Sequence, residues 1–185
     1  FDTILFFKVG KFYEMYHMDA VIGVENLNLT YMRGKIDHCG FPEVAYGRFA
    51  DQMVSRGFKV ARVEQTETPA QLEERNKKEK VKEKVVKREI CRVTTPGTRT
   101  YGILDGTDER SAIESVESTA HYLYAFAEKP SELGTSTYGV CFVDTSVGTF
   151  HLAQFNDDNN RSCLRTLFAH YQPCQILYER GHITG

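Results

Sequence analysis

Residues 101–118 are polar and acidic, carry Gly102 and Gly106, and separate two stretches that each mix short apolar runs with amphipathic ones. A break of that composition does not belong inside a packed core, so the chain is expected to fold as two units, 1–100 and 119–185, joined by a linker at 101–118. Strands and helices interleave in both units, which places the chain in the α/β class.

In the first unit, the run at 3–7 reads as a strand buried on both faces. Gly10 permits a turn, and an amphipathic stretch over about residues 12–26 reads as a helix. Residues 29–32 read as a strand, and His38-Cys39-Gly40 as a polar loop. Pro42 fits the first position of a second helix, with Val44, Phe49, Met53 and Val54 at helical spacing. Residues 58–63 alternate as a half-buried strand, and Thr68-Pro69-Ala70-Gln71 has the makings of a capped helix start. The charged run that follows, to about Arg88, reads as a solvated helix or helix–loop before a strand at 90–93. In the second unit, strands are expected at 122–126, 138–143 and 149–155, then a helix at 162–171 and a strand at 175–178. That order is similar to the opening of a ribonuclease-H-like fold without its closing elements.

Charge divides the same way. Residues 1–100 carry 18 Lys and Arg against 14 Asp and Glu; residues 101–185 carry 5 against 11. Only the basic half is suited to a polyanion. The five cysteines (39, 91, 141, 163, 174) form no C-x-x-C pair, so neither a disulfide framework nor a zinc site is indicated and no metal site is expected. No apolar run approaches the roughly 20 residues of a membrane span, so no membrane partner is expected. A start at Phe1 without Met and a stop at Gly185 in mid-pattern read as a fragment.

Chemistry concentrates at residues 8–20, Lys-Val-Gly-Lys-Phe-Tyr-Glu-Met-Tyr-His-Met-Asp-Ala. Phe12 can stack on a base, Glu14 can accept from a base edge, and Lys8 and Lys11 can face phosphates. Side chains at i and i+2 point together only on extended backbone. Phe12 is therefore expected at or just before the helix start, with Glu14 in the first turn, where the macrodipole suits an acid and free N–H groups suit a phosphate. An aromatic wedge in the minor groove unstacks a base step, and a mispair is cheaper to unstack than a sound pair. From the residues alone, Phe12 can equally be a core aromatic, Glu14 a helix-start acid, and the lysines ordinary solvated surface.

The stretch 8–20 resembles the mismatch-recognition motif of the MutS family, in its eukaryotic homologue-six branch. Gly40-Phe41-Pro42, residues 57–69, Arg88-Glu89-Ile90-Cys91-Arg92-Val93 and Thr95-Pro96-Gly97-Thr98 keep the family's order, and residues 138–146 are similar to its connector domain. Lys11 stands where bacterial relatives carry an acid. The resemblance implies a mixed-sheet α/β mismatch-binding domain followed by a truncated ribonuclease-H-like α/β connector. It implies that Phe12 stacks on a mispaired base and Glu14 bonds to it, with Lys8, Val9, Lys11, Tyr13 and Arg33 against the DNA. Its implied partners are duplex DNA with mismatches or small loops and a homologue-two subunit, in the nucleus.

No catalytic residue is expected in these residues. The family's ATPase, with its ATP and Mg²⁺, belongs to a longer parent, because G-x-x-x-x-G-K-[ST] does not occur here. Two other readings stay open: an interaction module without DNA binding of its own, and a nuclease built on Asp144 and Glu179.

Overall fold

Ile4 and Phe6 alternate with Leu5 and Phe7 along β1 (Thr3–Val9), and the two sets meet different surroundings. Ile4 and Phe6 are fully buried; Leu5 and Phe7 are only partly covered, so the strand is buried on one face rather than both. The computed structural model describes residues 2–80, 82–99, 122–131, 135–145 and 147–183, in two units. The linker expected at 101–118 lies outside the described residues.

Unit one is a five-stranded sheet in the order β3-β2-β1-β4-β5. Its other strands are β2 (Phe12–Tyr16), β3 (His38–Pro42), β4 (Lys59–Gln65) and β5 (Arg88–Thr94). β1 and β4 run parallel, and every other neighbouring pair is antiparallel. Helices α1 (Met18–Leu27) and α2 (Tyr46–Ser55) lie between them in sequence. Ala20, Leu27, Phe49, Ala50, Met53 and Val54 from these helices form one cluster with Ile4, Phe6, Tyr13, Met15, Phe41 and Val60 from the sheet. Each such side chain contributes about 1.5–3 kcal/mol on burial, which is what holds the helices to this face.

The expected helix over 12–26 is wrong in its first six residues, of which Phe12–Tyr16 form a strand. Tyr13 and Met15 are fully buried while Phe12, Glu14 and Tyr16 face away, a period of two that belongs to a strand. His17, with φ of 53°, breaks that strand, and the helix begins at Met18. Beyond the end of β2, the Asp19 carboxylate accepts the Leu5 backbone N–H at 3.0 Å and so continues the bonding of β1. Burial raises the Asp19 pKa above the ordinary carboxylate value, against the pull of that bond.

Residues 38–40 are strand rather than loop, because Cys39 and Phe41 alternate into the core. The strand expected at 29–32 is reduced to a single bridge between Tyr31 and Cys39. Pro42 closes β3 in extended conformation, and a short 3₁₀ turn, Glu43–Ala45, precedes α2.

The charged run begins as expected. In α3 (Pro69–Glu79) the Thr68 hydroxyl accepts the Gln71 N–H, and the Gln71 side chain accepts the Thr68 N–H at 2.8 Å. The helix gives way at Lys80, in the left-handed region, and residues 82–87 are loop, the helix–loop form of the expectation. The return to β5 is clasped: Arg75 grips Glu67 through two bonds of 2.7 and 3.0 Å and reaches Glu83 at 2.6 Å, while Glu67 also accepts the Lys87 N–H. Arg75 holds Glu67 well below the ordinary carboxylate value, at about 2 against 4.5. A depressed folded-state pKa stabilises the fold above the unfolded value and is lost as pH falls through the folded one. Glu67→Gln is therefore expected to flatten the loss of stability between about pH 4.5 and 2, measured by circular dichroism during acid titration. A slope unchanged from the parent would refute the clasp.

Unit two contains β6 (Tyr122–Pro130), β7 (Ser136–Asp144), β8 (Thr149–Asp157), α4 (Ser162–His170) and β9 (Pro173–Tyr178). The sheet order is β8-β7-β6-β9: two antiparallel hairpin pairings, then β9 parallel to β6 after the helix. This is the mixed α/β pattern expected of a ribonuclease-H-like opening. Tyr124, Tyr138, Val140, Phe142 and Leu164 form its core. The Asp157 carboxylate accepts the Cys163 and Leu164 N–H groups at 3.0 and 2.8 Å and so caps α4. The turn Pro96–Thr98 packs with this unit, the Gly97 N–H donating to Gln175 at 2.9 Å. Among the described residues no helix is long and apolar enough to cross a membrane.

Candidate nucleic-acid interface

The hairpin between β1 and β2 turns through Gly10, whose φ of +59° suits a residue without a side chain. Register then sets the face. Val9 lies opposite Phe12, and Phe7 opposite Glu14, so Phe7, Val9, Phe12, Glu14 and Tyr16 share the side of the sheet away from α1 and α2. Phe12 is 42% exposed, between Val9 on one neighbouring strand and Pro42 on the other. Phe12 and Glu14 thus point together because both are on a strand. The helix-start arrangement is corrected with it: no helix macrodipole acts on Glu14, and no free helix N–H groups lie beside it.

The tip is held firmly. Lys11 is exposed in the turn, and its carbonyl accepts the Glu43 N–H at 2.9 Å. Lys8 forms an ion pair with Glu43 and lies 4.8 Å from the centre of the Tyr13 ring. Arg88 donates to the Lys8 carbonyl at 2.9 Å. A wedge on so anchored a hairpin loses little conformational freedom on binding.

Strand alternation sorts the other expected contacts. Tyr13 is fully buried; its hydroxyl donates to Glu64 and accepts from Arg62 at 2.8 Å, so its side chain lies on the inner face of the sheet and not on the exposed face that carries Phe12. Lys8 shares that inner face, and its charge is taken up by Glu43. Val9 and Lys11 remain beside Phe12. Arg33 is exposed on a loop tied by Met32 N–H to His38 O at 2.8 Å to the start of β3, which lies opposite Tyr16 at the far end of β2, about 13 Å along the strand from Phe12.

Three residues of this face went unmarked. The Tyr16 hydroxyl donates to Glu14 Oε2 at 2.5 Å, and burial pushes the phenol up to about 12, with the Glu14 carboxylate adding to the rise and Arg88 opposing it. Arg88 is therefore close enough to act on the same cluster. Gly40 lies opposite Glu14, where a Cβ would meet the Tyr13 carbonyl oxygen at 2.8 Å and Glu14 Cγ at 3.1 Å. Counting by twos from Phe12 finds Tyr16; nothing local marks Gly40 or Arg88.

The nuclease reading fails on geometry. Asp144 pairs with Tyr122, whereas Glu179 follows Tyr178, which pairs with Phe126. Asp144 is level with the start of β6 and Glu179 with a point just past its middle, roughly 15 Å apart along the strand, and two-metal chemistry needs carboxylates that converge. Among the described residues no group of three or more His, Cys, Asp or Glu could hold a metal ion.

Comparison with known proteins is consistent along the chain. A family model described as MutS domain I matches residues 1–102, and one described as MutS domain II matches residues 121–183. The chain is 49% identical over 189 residues to "DNA mismatch repair protein Msh6" of Homo sapiens, covering 100% of this chain and 13% of that protein. Against "DNA mismatch repair protein Msh6" of Gallus gallus it is 51% identical over 187 residues, covering 100% and 14%. Against "DNA mismatch repair protein MutS" of Syntrophomonas wolfei it is 32% identical over 191 residues, covering 100% and 19%. The chain thus spans about one seventh of the length of the first two relatives.

Proposed function

The chain belongs to the MutS family, and on that premise we propose that its first unit recognises mismatched or looped base pairs in duplex DNA. Phe12 enters the minor groove and stacks on the displaced base, and Glu14 accepts a hydrogen bond from that base. Val9 and Lys11 lie against the groove beside them, and Arg33 meets the backbone farther along. Tyr13 and Lys8 act from the inner face as supports for β2 and do not themselves meet the groove. The observation that carries this reading is an exposed aromatic ring and a carboxylate side by side on one strand, at the tip of an anchored hairpin. The second unit serves as connector.

The intact protein is, in this proposal, an ATP-dependent DNA clamp of the nucleus that pairs with a homologue-two subunit. The residues here contain no phosphate-loop motif for ATP and Mg²⁺.

Glu14 tests the proposal. Its charge repels phosphates on any duplex, and only a displaced base edge compensates for that repulsion. Glu14→Ala is expected to tighten homoduplex binding by about three- to tenfold, or roughly 0.6–1.4 kcal/mol, and heteroduplex binding by less. Equilibrium titration of the intact protein with matched and G·T-containing duplexes at fixed salt measures both. Weaker homoduplex binding in the variant would reject the role.

A further inference from the structure

Glu14 is a flexible side chain asked to meet a base at a set position. Two features of its surroundings remove that freedom. The Tyr16 O–H donates to Oε2 at 2.5 Å, while Oε1 has no hydrogen-bond partner among the described residues. On the neighbouring strand, Gly40 has no side chain, so the Glu14 stem lies directly against backbone.

Tyr16 is itself placed by packing. Its ring meets the edge of Phe7 at 5.8 Å and stacks on His38 at 5.7 Å with planes 16° apart. The hydroxyl therefore has a position of its own, set by neighbours on both flanking strands. Burial and the adjacent carboxylate keep it protonated, and so a donor, through the neutral range.

From this geometry we infer that Tyr16 is a positioning residue for recognition: its hydroxyl fixes one oxygen of Glu14 and presents the other to the displaced base. The inference rests on the roles proposed above for Phe12 and Glu14. Ordering a free glutamate on binding costs up to about tenfold in affinity, and a carboxylate already held avoids most of that loss.

The test is a double-mutant cycle in the intact protein: Tyr16→Phe, Glu14→Ala and the pair, each titrated with matched and G·T-containing duplexes. Tyr16→Phe removes one oxygen and keeps both ring contacts. It is expected to weaken heteroduplex binding by about three- to tenfold, leave homoduplex binding unchanged, and have no further effect once Glu14 is alanine. A ring with a purely structural role gives the same loss in both backgrounds, and that result overturns the inference. Unchanged heteroduplex binding in Tyr16→Phe overturns it too. Phe12→Ala in the same series separates the two levels. If it leaves the preference intact, the wedge reading falls and this inference with it; if the preference is lost but the cycle is additive, only the role of Tyr16 falls.

Discussion

Phe12→Ala is expected to bring heteroduplex and homoduplex affinities together while leaving weak, salt-dependent binding to any duplex. The argument is a balance of opposed terms. Pushing an apolar ring into the minor groove costs a few kcal/mol of unstacking, and stacking on a base returns roughly 1–3 kcal/mol. On a sound duplex the sum is near zero or adverse. A mispair is already poorly stacked and easily bent, so the same stack becomes a net gain there. Removing the ring removes that difference, and the affinity ratio should fall by roughly tenfold, toward a hundredfold at the upper end of the stacking range.

Phosphate contacts of the kind proposed for Lys11 would survive the substitution, so the slope of log affinity against log salt should be unchanged. The ring is 42% exposed and absent from the core cluster, so its truncation leaves no cavity in the core, and a thermal melt of the variant separates a loss of preference from a loss of fold. A ratio that stays the same after the substitution defeats the proposed mechanism.

What was legible in the sequence follows from how local each determinant is. The start of α3 was readable because Thr68, Pro69 and Gln71 cap a helix through bonds spanning three residues. The β6–β7–β8 run was readable because hairpins pair neighbours in sequence. Residues 12–16 misled because five aromatic and polar positions satisfy a helical or a strand period about equally well. Pairing with β1 on one side and β3 on the other decides between them, and β3 lies more than twenty residues away. Lys8 shows the same limit at the site. A lysine two residues before a turn looks solvated, and only the approach of Glu43, thirty-five positions later, turns its charge inward. That Phe12 and Glu14 point the same way is legible because extended backbone needs only alternation to place residues i and i+2 together; that the extended backbone is a strand and not a helix start is not.

Gly40→Val is expected to distort the pairing of β2 with β3, and to damage recognition with Phe12 and Glu14 both intact. A Cβ at residue 40 meets the Tyr13 carbonyl oxygen at 2.8 Å and Glu14 Cγ at 3.1 Å. The first of these is backbone of β2, a strand held between β1 and β3, and it cannot swing aside as a side chain would. Relief requires β2 and β3 to separate locally, at a cost of roughly 1–3 kcal/mol, which lowers the melting temperature by on the order of 5 °C. The same displacement moves Glu14 off Tyr16, so heteroduplex affinity should fall even at temperatures where the protein remains folded.

Gly23→Ala provides the contrast. Its Cβ would come within 2.7 Å of Met15 Cε and 2.9 Å of Met15 Sδ, the flexible end of an unbranched side chain, and within 3.0 Å of Cys39 Sγ, a side chain and not backbone. Because alanine also favours the interior of α1 by up to about 1 kcal/mol, the two terms nearly cancel and the melting temperature should hardly move. Thermal melts and duplex titrations of the two variants together distinguish a close backbone approach built into the recognition strand from a glycine that is merely tightly packed. Equal behaviour of the two would show that Gly40 has no special role beneath Glu14.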